Sequence, residues 1–149
     1  MAPERIRSYF FLNQKSISKS FTLGKKERLK SRKLIDQLFN QGKSFSVFPY
    51  RIFYQHQPSL ENIQAGFAVS SRNFKKAVDR NKIKRLTREA YRIQKKSWID
   101  EKIKNNHFYA LFFVYVGKEL PDFELVSRKM NQILEKLVEL IHENHSSVT

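Results

Sequence analysis

Apolar residues recur with two different periods along this chain, and each change of period marks the end of an element. In SRKLIDQLFNQG (31–42), Leu34, Ile35, Leu38 and Phe39 fall on one face of a helix. Ser31 suits its start, and Gly42 stands where a left-handed residue would close it. The stretch SFSVFPYRIFYQH (44–56) alternates instead. Tyr50, Ile52 and Tyr54 lie on one side, Arg51 and Phe53 on the other, which predicts a strand with two usable faces. The polar QHQPSLEN (55–62) predicts a hairpin loop and IQAGFAVSS (63–71) the returning strand, with Gly66 a site of close approach. Helical spacing resumes from about 77 to 96, where Ile83, Leu86, Ala90 and Ile93 form the buried stripe and Asp79 faces the positive helix end. HFYALFFVYV (107–116) is apolar on both faces, as a central, covered strand must be. Pro121 and Asp122 open a last helix, whose core stripe is Phe123, Val126, Met130, Ile133, Leu134, Leu137 and Ile141.

The predicted order is therefore α-β-β-α-β-α, with room for a short extra strand around 43–48, in one α+β domain. A length of 149 residues suits a single domain with a real core. That domain is placed at 23–145. Residues 1–22 lack sustained periodicity, are rich in Ser, Lys and Arg, and read as a basic, flexible arm; 146–149 read as a tail. The absence of cysteine excludes disulfides and thiolate metal sites. No apolar run approaches the roughly 18 residues of a membrane span. The apolar run near the N-terminus is too short for a secretory signal. A soluble, cytoplasmic protein is expected.

Charge changes the picture. The formal net charge is +15, and the segment 72–96 carries eleven Lys or Arg residues against two acids, so nine of the fifteen net charges sit there. Opposite the apolar stripe of this helix lie Asn81, Arg88 and Arg92, flanked by Lys84 and Arg85, with Arg80 and Tyr91 on one shoulder. Asn81 to Arg92 spans about 16 Å of helix. A rigid row of planar guanidinium forks suits successive phosphates, which they bond two oxygens at a time. Solvated helix faces usually mix charge signs so that neighbouring pairs help one another, and this one scarcely does. A membrane-surface helix would expose large apolar residues beside the cations, whereas this stripe is better used as core. The reading is nucleic-acid binding.

Enzyme chemistry finds little support in the residues. His56, His107, His142 and His145 lack metal-ligand spacing with a carboxylate, and Gly24, Gly42, Gly66 and Gly117 form no phosphate-cradling loop. No dedicated metal site is expected. Mg²⁺ is expected only where nucleic-acid phosphates beside Asn81 share it, since the ion favours oxygen ligands and keeps its waters.

GFAVSSRNFKKAVDRNKIKRLTREAYR (66–92) resembles the signature of the bacterial ribonuclease P protein subunit, an R-N-R core followed by I-K-R-x-x-R-E. RLKSRKLIDQLFNQGKSF (28–45) is similar to the family's first helix and the turn after it, and the likeness covers about residues 23–142. Lys82 departs from the third residue of R-N-R, keeping charge without the fork, and Ser71 stands where the family usually has Lys. The resemblance implies a small α-β sandwich with a left-handed βαβ crossover, the basic helix being the crossover element. It implies a protein inactive alone, monomeric apart from RNA, that helps a catalytic RNA remove the 5′ leader from precursor tRNA. The RNA-binding residues carried over are Arg80, Asn81, Lys82, Lys84, Arg85, Arg88 and Arg92. The family's leader cleft maps onto Ile35, Phe39, Arg51 and Phe53. Phe39 shares a stripe with Leu34 and Leu38, so a core role stays open for it, and Phe53 is the stronger cleft residue. A stand-alone basic nuclease and a ribosomal protein or RNA chaperone are the competing readings.

Overall fold

A computed structural model describes residues 24–60, 62–100 and 108–146. In chain order, a 3-10 turn (Lys25–Glu27) precedes α1 (Arg32–Gln41), β1 (Lys43–Val47), β2 (Tyr50–His56) and β3 (Gln64–Val69). Then come α2 (Ala77–Lys95), which runs into a π-helical turn (Lys96–Asp100), β4 (Tyr109–Tyr115) and α3 (Phe123–Ser146). This is the expected order, with the extra strand present as β1. The N-terminal arm, residues 1–22, and the tail beyond Ser146 lie outside the described residues.

Local signals act at the positions expected of them. The Ser31 hydroxyl accepts from the Leu34 N–H at 3.4 Å and caps α1. The Asp122 carboxylate does the same for α3, accepting from the Leu125 N–H at 2.8 Å. Gly42 ends α1 for a different reason than expected. Its φ of −73° is not left-handed. A Cβ there would come within 2.3 Å of the Leu38 carbonyl oxygen, so glycine is required by the close approach of the chain to its own helix.

The sheet order is β1-β2-β4-β3. β1 and β2 form the hairpin, Val47 opposite Tyr50. β2 and β3 do not, so 55–62 connects strands that are not neighbours. β4 lies between them, antiparallel to β2 with Tyr50 opposite Tyr115, and parallel to β3 with Val69 beside Tyr115. The reason is visible in β4 itself, where six of seven residues are buried. A strand apolar on both faces loses most from an edge position, and β2 and β3 take the flanks. β3–α2–β4 is the parallel crossover unit, with the basic helix as its connection.

Each strand divides its side chains between two layers. Tyr50, Ile52, Tyr54, Ala65, Val69, Leu111, Phe113 and Tyr115 face α2 and α3 and form the main core with Ile83, Ala90 and the buried stripe of α3. A buried hydroxyl pair fastens α2 to β2. Thr87 Oγ1 donates to the Ile83 carbonyl at 2.8 Å, leaving the Tyr50 hydroxyl to donate to Thr87 Oγ1 at 2.7 Å. The other face is smaller. Leu38 of α1 packs there with Leu29, Ala110 and Phe112.

Candidate nucleic-acid interface

The cations of α2 divide by their position along the helix. Asn81, Arg85 and Arg88 are exposed, and Lys82 and Lys84 are half-buried at the edges of the same face. This is the row expected to meet phosphate. Arg80 is half-buried, and its Nη1 donates to the carbonyls of Phe74 and Lys75, each at 2.8 Å. It shapes the loop leading into the helix as much as it offers charge outward.

Arg92 corrects the sequence reading. A helical wheel places it with Asn81 and Arg88, yet it is only 8% exposed and its Nη2 lies 2.6 Å from a Glu89 carboxylate oxygen. Tyr91 and Lys95 are buried as well. The last turn of α2 is enclosed. The ammonium of Lys95 meets Glu27 of the 3-10 turn, and the other Glu27 oxygen accepts from the Gly24 N–H at 2.9 Å. The sequence carried a signal for the ion pair, though not for the enclosure. Glu89 lies three residues before Arg92, a spacing at which helical side chains meet.

On the opposite side of the sheet, the expected cleft residues come together. The Phe39 and Phe53 rings meet edge to face with centroids 4.6 Å apart, and Phe39 meets Phe112 at 5.1 Å. The Arg51 guanidinium lies 5.2 Å from the Phe53 ring centroid, within cation–π range. Ile35 is half-buried and packs against the small core beneath. Phe39 is 42% exposed, while Leu38 beside it is fully buried. Leu38 therefore serves the core, and Phe39 forms a wall.

Phe112 was missed by the sequence reading. It lies directly opposite Phe53 in the β2–β4 register, so alternation along β4 places it on the same face of the sheet, where it is buried under Phe39. Gly66 makes room for it, because a Cβ at that position would come within 2.6 Å of the Phe112 ring. The close approach expected at Gly66 is thus an aromatic ring lying over a bare backbone. Among the described residues, no group of three or more His, Cys, Asp or Glu could hold a metal ion. His107 and the side chain of His145 lie outside the described residues. No helix of the described residues is long and apolar enough to cross a membrane.

The geometry defines a class: a basic α-β sandwich with an aromatic cluster and an arginine on one side of its sheet and a cationic crossover helix on the other. Residues 23–138 match the family model described as Ribonuclease P, and the chain belongs to that family. It is 37% identical over 123 residues to the ribonuclease P protein component of Porphyromonas gingivalis, covering 79% of this chain and 88% of that one. To the ribonuclease P protein component of Chlorobium phaeobacteroides it is 34% identical over 129 residues, covering 78% and 88%. The solved RNase P protein of Staphylococcus aureus shares the fold, with TM-score 0.62 at 19% identity over 74% of this chain and 94% of that one. The RNase P protein of Thermotoga maritima, solved with 1-(4-fluorophenyl)-2-thiourea, gives TM-score 0.58 at 26% identity over 72% and 96%.

Proposed function

We propose that this protein is the RNA-binding subunit of a ribonuclease P, which assists a catalytic RNA in endonucleolytic removal of the 5′ leader from precursor tRNA. The relatives carry the name of a protein component, and the residues here divide into the two tasks such a component needs. The exposed cations of α2 hold RNA phosphate. The groove takes the single-stranded leader. The observation that carries the reading is the aromatic cluster, where the exposed Phe39 ring of α1 meets the half-buried Phe53 ring of β2 and the exposed Arg51 guanidinium lies against that ring. Single strands are held by aromatic platforms in basic grooves, because every base has a π-face.

Phosphate contacts alone would bind mature and precursor tRNA equally, so the leader groove supplies the discrimination. The protein contributes binding and positioning, and the RNA carries the chemistry. Asn81 offers an exposed side-chain carbonyl oxygen, the ligand type that hydrated Mg²⁺ accepts. Mg²⁺ shared between RNA phosphates and this helix would stabilise the charge brought together there. The protein acts in the cytoplasm and is a monomer apart from its RNA.

Cleavage of a precursor tRNA by the protein alone, by the catalytic RNA alone and by both tests the reading. The protein alone should be inactive, and adding it should raise cleavage by the RNA at limiting substrate and low Mg²⁺. Cleavage by the protein alone would mark a stand-alone nuclease. No stimulation of the RNA would leave a general RNA-binding protein.

A further inference from the structure

Five large apolar side chains are exposed among the described residues, and four of them lie at one end of the sheet. That end is where β2 begins and where β3 and β4 finish. Phe48, 73% exposed, is in the β1–β2 turn, and Val78, 77% exposed, is in the first turn of α2. Val116 and Leu120 belong to the connection from β4 to α3.

These loops are tied to one another. The Val116 N–H donates to the Pro49 carbonyl at 2.8 Å. The Asn73 side-chain amide, from the β3–α2 loop, donates to the Val116 carbonyl at 3.0 Å and to the Gly117 carbonyl at 3.3 Å. The Tyr115 hydroxyl donates to the Glu119 carbonyl at 2.6 Å. A Cβ on Gly117 would lie 2.9 Å from the Pro49 Cβ, so the β1–β2 turn and the β4 exit fit only because residue 117 is glycine. Phe48 therefore projects from a braced support.

The surroundings select the occupant. The β3–α2 loop, SSRNFKK (70–76), carries exposed Arg72, Lys75 and Lys76 and no acid, and Lys118 is exposed on the neighbouring connection. The acids at this end are half-buried Asp79, in the first turn of α2, and Glu119, Asp122 and Glu124, which belong to that connection and the first turn of α3. Four apolar side chains are few beside the roughly 20–30 residues a side of a stable protein interface. One aromatic ring is enough for one base. Cations two strands away from Phe48, about 10 Å across the sheet, suit the phosphates of the same short segment.

We propose that this end of the sheet is a further RNA contact, in which an unpaired nucleotide of the partner RNA stacks its base on Phe48 and sets its phosphate against the β3–α2 loop. This rests on the reading of α2 as an RNA-binding helix, and it adds a contact outside both that helix face and the leader groove.

The test uses the full-length protein and its cognate ribonuclease P RNA. Phe48→Ala should weaken binding by about tenfold, the lower-middle range for one stacked base, with the salt dependence unchanged because no phosphate partner is removed. Phe48→Trp should keep the affinity, and its fluorescence should be quenched by RNA beyond any change shown by Trp98 in the unsubstituted protein. Wild-type affinity for Phe48→Ala, with no quenching in Phe48→Trp, overturns the proposal. A concentration-dependent dimer abolished by Phe48→Ala at unchanged RNA affinity would assign the patch to a second copy and equally overturn it. If instead Arg85→Ala/Arg88→Ala binds RNA like wild type, the reading of α2 itself has failed.

Discussion

The two faces of the sheet are built from the same strands and end in opposite states. One is covered by α2 and α3, of 19 and 24 residues, roughly 28 and 36 Å of helix. The other has only α1, of 10 residues, about 15 Å. A seven-residue strand such as β2 or β4 is about 23 Å long, so two long helices can cover one face and a single short helix must leave part of the other bare. The closed face is apolar and packed, with hydroxyls that bond inward. The open face keeps the same alternation but places aromatic rings and Arg51 where water reaches them. Helix length, more than strand composition, decides which face is core and which is groove.

The contrast can be broken most strongly on the closed face. Leu111→Ala removes a fully buried side chain beneath α2 and α3. It should cost about 2–5 kcal/mol in urea unfolding. A loss under about 1 kcal/mol would mean that the face is not a packed core.

On the open face the expected loss is in selectivity. Phe53→Ala should reduce precursor tRNA affinity of the assembled enzyme by about 1–3 kcal/mol and leave mature tRNA nearly unchanged. Equal losses on both substrates would return Phe53 to a purely packing role.

Arg85→Ala/Arg88→Ala should flatten the log–log salt dependence of RNA binding by about 0.7 for each phosphate no longer neutralised, with no change in melting temperature. Arg92→Ala makes the sharper comparison, since its side chain is buried beside Glu89. It should lower the melting temperature while moving the salt slope little, and the reverse pattern would put Arg92 back on the RNA face.

The smallest effect is one of pH. Burial raises the phenol of Tyr109 to about 12, with help from Tyr54, and burial also holds those of Tyr50 and Tyr115 above their ordinary value. A raised folded-state value means the folded protein holds the proton more tightly. Stability from Tyr109 is complete below about pH 10, the ordinary tyrosine value, and is lost as pH climbs toward about 12. Tyr109→Phe should show a shallower alkaline fall than wild type in urea midpoints across that window. Parallel curves would show that Tyr109 contributes nothing to it.

What could be read from the chain followed from how local the cause was. Ser31, Asp122 and the stripe of α3 depend on neighbours within one or two turns, and they stand as expected. The order and covered character of β4 were legible because a strand apolar on both faces has only one comfortable place. That β4 separates β2 from β3 was not legible, since QHQPSLEN looks the same whether it closes a hairpin or crosses to a distant strand. The same limit hid Phe112, whose face depends on its register with Phe53. Arg92 was misplaced because a helical wheel counts only the helix's own residues, and its last turn is enclosed. The candidate groove was legible in Ile35, Phe39, Arg51 and Phe53 through the family resemblance, and their proximity required the folded sheet.

The pairing of Glu27 with Lys95 has a consequence for the order of folding. It joins residues 68 positions apart, and the Leu29 N–H bonds the Ala65 carbonyl across a span a little over half as long. Interactions that close long loops are costly until the intervening chain is already compact. The segment before α1 therefore has no docking place until β3 and the end of α2 exist, and it must arrive late. In a chain made from its N-terminus, Glu27 and Leu29 are synthesised before these partners and are among the last residues of the domain to dock. Leu29, which that segment carries into the small core beside Phe112, is the final piece under the groove.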